Sequence, residues 1–260
     1  MNNNKLKLND DKTHLLVMTT DAMRRHNQID IHINTPTMPI EPIDSEVLLG
    51  GIIQEGLKWA DYILIGITRP LTNEKPLVAK LTSRLNALKK ISKIANFKTR
   101  LMIANGIFMS KLIYLMPLWG GCEDYLIKAL QIVQNKAARS VTRLWDAPIK
   151  TLLHQCNWLS VNQLVKYNTL VLQYKILQNG YPRYLYDKLD LDFPRNTRLA
   201  QSNIIRMGPE FQAHLALTEK SFRWRAAKDW NELPSSIRQV RKLETFKKEL
   251  KSWIKNNVPI

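Results

Sequence analysis

At 260 residues, 45% hydrophobic and carrying a net charge of +17, the chain is long and apolar enough for one large or two ordinary domains, which excludes a disordered polycation. Self-repulsion on that scale opposes compaction unless a polyanion or an anionic membrane supplies countercharge, and nucleic acid is the first candidate. Two cysteines, Cys122 and Cys156, are too few for a disulfide scaffold or a Cys-rich zinc site, and imply a reducing, intracellular setting without separating nucleus from cytoplasm.

The first residues, MNNNKLKLNDDK, hold no apolar segment of the kind a secretory signal needs. Leu15, Leu16, Val17 and Met18 follow the polar Asn9-Asp10-Asp11-Lys12, which predicts a loop feeding a strand over residues 14–19. Ile29, Ile31 and Ile33 alternate with Asp30, His32 and Asn34, the pattern of a half-buried strand. After Pro36, Pro39 and Pro42, residues 47–53 read as a third strand interrupted at Gly50 and Gly51. Three strands without more sheet around them look like part of a domain interior. Residues 68–76, TRPLTNEKP, form a turn-rich connector.

Residues 81–121 follow, and they hold no acid at all. Leu81, Leu85, Leu88, Ile91 and Ile94 recur at steps of three and four, placing an apolar stripe on one face of a helix, with Arg84, Lys89, Lys90 and Lys93 mostly on other faces. From Phe97 the apolar residues crowd closer, through Leu101, Met102, Ile103, Ile107, Phe108, Leu112, Ile113 and Leu115. A second helix, buried on most of its circumference, is expected. Residues 101–119 are apolar enough to be weighed as a membrane span, but Asn105, Lys111 and Pro117 argue for a buried helix instead. Leu126, Leu130, Val133, Ala137, Val141 and Leu144 then predict a long amphipathic helix running to Trp145. A short helix to Cys156 comes next. Ser160 with Gln163 offers a capping box for a helix that stops at Gly180-Tyr181-Pro182. Two last helices are expected over residues 221–230 and 243–254, separated by Leu233-Pro234, with Leu243, Phe246, Leu250 and Ile254 as the inner edge of the second.

Candidate chemistry is sparse. Asp10-Asp11 suits a solvated turn better than a two-metal site, which needs further carboxylates. His154 and Cys156 lack a second ligand pair for zinc, the other histidines sit in no nucleophile motif, and there is neither GxxxxGK[ST] nor GxGxxG. Charge density is the stronger signal. Residues 75–145 carry 13 Lys/Arg against two acids, Glu123 and Asp124, a net +11 of the chain's +17. Solvated helix faces ordinarily mix both signs. Arg84, Lys89, Lys90, Lys93, Lys98 and Arg100 are therefore expected to line a surface that neutralises backbone phosphates by counterion release. Tyr114, Trp119, Trp145, Trp158, Trp224 and Trp230 have the ring type that stacks on bases, but tryptophan in apolar helices is commonly core, and no stacking role is assigned from the sequence.

A family resemblance spans nearly the whole chain. Lys7-Leu8-Asn9 with Lys12-Thr13 before an apolar strand, then a Leu48-Leu49-Gly50 turn with Leu57-Lys58-Trp59, resembles the downstream palm of a non-LTR (LINE-type, jockey-like) retrotransposon reverse transcriptase. Lys98-Thr99-Arg100-Leu101 leading to Leu118-Trp119-Gly120-Gly121, continued by residues 132–139, IVQNKAAR, is similar to that family's thumb. Gly180-Tyr181-Pro182, Asn196-Thr197-Arg198, Phe222-Arg223-Trp224-Arg225-Ala226-Ala227 and Trp230-Asn231-Glu232-Leu233-Pro234 look like its C-terminal tail. The order and spacing of the pieces carry the resemblance more than any one of them.

The resemblance implies an α+β, mainly α-helical chain: a small N-terminal antiparallel β remnant of a palm (1–67), a helical thumb (77–145) and a helical C-terminal region (146–260). Lys12 matches the family's motif D lysine, a general acid toward leaving pyrophosphate. Leu49 and Gly50 fall on its primer-grip turn, and residues 84–100 would follow the template-primer backbone. The departures matter equally. The family's metal-binding aspartates, one on a palm strand and two in an aromatic-Ala-Asp-Asp turn, have no counterpart in these 260 residues, nor do fingers, endonuclease or zinc knuckle. Residues 62–76 also read unlike the polar helix expected before the thumb. The chain thus resembles part of an RNA-directed DNA polymerase, inactive alone, with Mg²⁺ expected only for the intact parent enzyme and no cofactor here. Its partners would be RNA or DNA template-primer backbone and the rest of a reverse transcriptase, and not a membrane. The alternative is a non-catalytic helical protein-interaction module.

Overall fold

The computed structural model describes residues 13–18, 33–34, 39–69, 72–189, 204–205, 207 and 216–259. Among the described residues it is mainly helical, with short antiparallel strand pairs in the N-terminal part. The chain divides into two compact units, residues 1–80 and 81–260.

In the first unit, β1 (Ile33–Asn34) pairs with β2 (Pro39–Ile40). Next, β3 (Ser45–Leu48) pairs with β4 (Gly51–Gln54), Val47 opposite Ile52 and Leu48 opposite Gly51. Residues 47–53 are therefore two strands and not one. The chain reverses at Leu49 and Gly50, both at positive φ (50° and 74°), the geometry that two-residue hairpin loops favour. Because an apolar residue stands at Leu49 where turns usually carry Asn or Gly, the run reads as continuous strand. Residues 14–18 form no ladder beyond a single bridge from Leu15 to Pro42, supported by Ile43 N donating to Leu15 O at 2.8 Å. Most of the strand expected around Ile29 and Ile31 lies outside the described residues.

The connector also differs from expectation. A π-helical turn, Asp61–Ile65, buries Tyr62 and Ile63, and a further hairpin of β5 (Ile67–Arg69) and β6 (Thr72–Glu74) follows. Gly66 separates them at φ 86°, where a Cβ would sit 2.8 Å from Glu74 O and 2.9 Å from Pro76 Cδ, so only glycine fits.

Helix α1 (Leu77–Ser92) crosses the division between the units. Leu81, Leu85 and Leu88 are buried as the stripe requires, but Ile94 is 90% exposed, because the helix has already ended at Ser92. Next, α2 (Phe97–Ile103), a π-helical segment (Ala104–Met109) and α3 (Ser110–Ile113) follow one another through right-handed helical backbone. This rod is not buried all round. Ala104, Phe108, Met109 and Leu112 face inward, while Phe97, Met102 and Ile113 are exposed. The wider π turns hold more residues per turn than 3.6, so apolar positions spaced for an α-helix slide around the surface. No helix among the described residues is long and apolar enough to cross a membrane.

Leu115 turns the chain at φ 56° into α4 (Met116–Trp119). There Trp119 is fully buried and its Nε1 donates to Tyr114 O at 2.9 Å. Then come α5 (Asp124–Thr142), α6 (Ile149–Gln155), α7 (Val161–Asn179), α8 (Arg183–Tyr186), α9 (Ala216–Lys220), α10 (Phe222–Glu232), α11 (Ser235–Arg238) and α12 (Leu243–Asn257). On α5, Leu126, Leu130, Val133, Ala137 and Val141 are all buried.

Helix α7 is the centre of this unit and packs on α4, α5, α10 and α12. Its start is the expected capping box: Ser160 Oγ accepts from Gln163 N and Gln163 Oε1 accepts from Ser160 N, satisfying amide donors that a helix start leaves over. Its end is Gly180 in the left-handed region, φ 63°. Tyr174 of α7 stacks on Phe246 of α12 at 4.2 Å and 21°, and Trp230 of α10 lies 5.9 Å from the same ring. Phe246, Leu250 and Ile254 are all fully buried. From residue 81 onward the segments 77–145 and 146–260 thus share one core. Gly121 marks a close approach within it, since a Cβ there would lie 2.0 Å from Lys220 O.

Candidate nucleic-acid interface

The end of α1 decides what its lysines are free to do. A helix leaves its last four carbonyls without intrahelical donors, and C-terminal lysines commonly serve them. Here every one is already served by another group. Lys89 O accepts from Ser92 Oγ at 2.8 Å, Lys90 O from Lys93 N, Ile91 O from Ile94 N and Ala95 N, and Ser92 O from Arg143 Nη2. Lys89, Lys90 and Lys93 are exposed, as is Lys98 at the start of α2, whose N-cap is Asn96 with Oδ1 accepting from Thr99 N at 2.9 Å. Among the described residues, no carboxylate pairs with any of these four ammonium groups.

The two arginines expected on this surface have other work. Arg100 is 6% exposed. Its Nε donates to Val141 O and its Nη1 to Ala95 O, both at 2.6 Å, fastening the turn between α1 and α2 to the end of α5. Burial first, and then the positive charge of Arg143, lowers its pKa from the ordinary arginine value. Arg100 therefore does not belong to the exposed set. Arg84 is half-buried and donates through Nη1 to Ile107 O at 3.1 Å.

Two cations absent from the expected set complete the corner. Arg143 ends α5 in the left-handed region (φ 63°, ψ 18°) and reaches back to α1. Arg139 Nε donates to Trp145 O at 3.0 Å. Periodicity carries the helix on to Trp145 because no glycine or asparagine announces its end at Arg143. The real end leaves Leu144 and Trp145 outside it, 41% and 57% exposed. What results is a solvent-facing corner built from the ends of α1 and α5 and the start of α2. Its four lysines are unpaired within the described residues.

A second gathering of charge differs in every respect. On α7 and α10, Lys166 Nζ lies 3.2 Å from Asp229 and 2.6 Å from Glu232. Burial opposes charge on Lys166, yet the Glu232 hydrogen bond and both carboxylates outweigh it and raise its pKa. For Asp229 burial wins over Lys166, and its pKa is raised. Arg225 donates to Pro117 O at 2.8 Å and Lys220 O at 3.1 Å. Every charge in this cluster is answered within the fold.

Of the remaining expectations, Leu49 and Gly50 do form a turn, in the residue 1–80 unit, with Leu49 80% exposed. Lys12 and the Asp10-Asp11 pair lie outside the described residues, as does Asn196-Thr197-Arg198. Among the described residues no three His, Cys, Asp or Glu side chains gather to hold a metal ion. No family model matches the chain, and no curated protein or solved structure matches it.

Proposed function

We propose that this chain binds the phosphate backbone of RNA or DNA through Lys89, Lys90, Lys93 and Lys98, without regard to sequence. We further propose that it derives from a non-LTR retrotransposon reverse transcriptase, as palm edge, thumb and C-terminal tail. One observation carries the binding reading. Four exposed lysines stand near where three chain segments meet, with the helix carbonyls already satisfied by other donors and no acid anywhere in residues 75–122. Such a corner holds condensed positive potential, and releasing counterions from a nucleic acid is the favourable exchange open to it. The order and spacing of the resembling segments support the origin. With no aromatic-Ala-Asp-Asp turn in these residues, nothing in them stabilises the attacking and leaving oxygens of nucleotidyl transfer, and the chain binds without polymerising on its own.

Filter binding over a salt series tests this. Four phosphate contacts predict a log–log slope of about −3 on single strands and dissociation constants of about 10⁻⁴ to 10⁻⁶ M near physiological salt. Lys89→Glu, Lys90→Glu and Lys93→Glu together abolish the salt-sensitive part and leave the fold intact. Absence of measurable binding at low salt overturns the reading. Intact nucleic-acid binding after charge reversal would move the function elsewhere, and loss of a protein partner instead would favour an interaction module. Primed-template extension with Mg²⁺ by this chain alone would overturn the non-catalytic part.

A further inference from the structure

Trp145 is an exposed aromatic residue two positions after Arg143, whose guanidinium reaches the end of α1. Folding buries large apolar rings wherever it can, and an indole left in water forgoes the gain from its own burial. The segment that carries this ring is fastened at three points. Leu144 N donates to Thr142 Oγ1 at 3.3 Å, Trp145 O accepts from Arg139 Nε at 3.0 Å, and Arg143 Nη2 reaches Ser92 O at the end of α1. Arg100 adds a fourth tie by joining Val141 O to Ala95 O across the same junction. The indole is thus presented to solvent, 57% exposed, from a braced backbone, and the ordering cost of presenting it is met in the free protein. Ile94 and Phe97, 90% and 40% exposed, stand on the turn that Arg100 fastens to α5. Within six residues of the ring in sequence stand one acid, Asp146, and three cations, Arg139, Arg143 and Lys150.

We propose that this corner is a single-strand site, in which Trp145 stacks on an unpaired base while the lysines of α1 and α2 neutralise the phosphates on either side. The proposal rests on the phosphate-binding reading above and adds a substrate class to it. A paired, stacked base offers its face to no side chain, so an exposed ring contributes to binding only where bases are splayed out. Aromatic platforms set among cations are the usual solution for single strands, and they tolerate sequence because every base has a π face. Charge complementarity selects the occupant: an apolar ring alone would suit many partners, but one carried on a segment that Arg139 and Arg143 hold at the junction with the end of α1 suits a polyanion with exposed rings.

Fluorescence anisotropy on the full chain tests it, with labelled thymidine and uridine oligonucleotides of about 16 nucleotides, a duplex of the same length, and vesicles of phosphatidylcholine with phosphatidylserine. The wild type is expected to prefer single strands to duplex. Trp145→Ala should weaken single-strand binding about 5- to 100-fold while leaving duplex affinity and the salt slope within about twofold. Trp145→Phe should recover most of the loss. Thermal melting of each variant confirms folding, which so exposed a side chain should not disturb. If Trp145→Ala leaves single-strand binding unchanged, weakens duplex binding equally, or impairs only vesicle binding, the stacking site is overturned while phosphate binding stands. If the wild type binds neither nucleic acid, the phosphate-binding reading falls first.

Discussion

Positive charge is handled in two ways within residues 81–260, and the contrast separates folding from function. On α7 and α10, Lys166 and Arg225 sit among Asp229, Glu232 and backbone carbonyls, and their charge is consumed in joining helices. At the corner of α1, α2 and α5, the lysines meet no described carboxylate, and the carbonyls they would have served are taken by Ser92, Arg143 and backbone amides. A cation with internal acceptors stabilises the fold. One whose natural acceptors are occupied is left to solvent and to external anions. Arg100 makes the comparison sharp, because it lies two residues from exposed Lys98 and belongs to the other class.

Breaking each class should therefore fail differently. The largest stability effect is expected for Arg100→Ala, which strips two carbonyls of their donor and opens the junction between α1 and α5; a loss of about 2–4 kcal/mol, read by urea unfolding, is expected. Lys166→Ala should cost about 1–3 kcal/mol, because Asp229 is left half-buried beside Glu232 without its counterion. The triple reversal of Lys89, Lys90 and Lys93 should change unfolding free energy by under about 0.5 kcal/mol while removing nucleic-acid binding. Similar stability losses in all three would dissolve the distinction.

At neutral pH the smallest effect concerns the thiols. Burial pushes Cys122 up to about 12, with Glu123 adding to it, and burial pushes Cys156 up to about 11, both from an ordinary 9.0. Both folded values exceed the unfolded one, so unfolding releases protons once pH passes about 9. Stability is unaffected by these thiols below that point and declines above it. Iodoacetamide at pH 8 should label both cysteines slowly in the native protein and rapidly in urea. Rapid native labelling would show that the packing around them is open.

Much of the helical architecture was legible because it rests on short-range signals. The stripe Leu81, Leu85, Leu88 and the row Leu126, Leu130, Val133, Ala137, Val141 are buried as their spacing demands, and the capping box at Ser160 and Gln163 and the stop at Gly180 appear as read. Illegible were events that break a period without a marker residue. Leu49 reverses a hairpin at positive φ, the π segment at Ala104–Met109 shifts an apolar face, and Arg143 ends α5 where glycine would have been expected.

The sequence by itself determined that this is a basic, mainly helical chain whose excess charge is concentrated in residues 75–145, because composition and 3.6-residue periodicity are properties of the chain alone. Only the tertiary structure decided which of those charges are available. Arg84, Lys98 and Arg100 look alike in sequence, yet burial and two carbonyls claim Arg100, Ile107 O claims Arg84 in part, and Lys98 faces water. The same holds for Trp145, which belongs to a helix by its spacing and to a solvent-facing junction by its contacts. Availability is set by what folds against a side chain, and that depends on residues dozens of positions away.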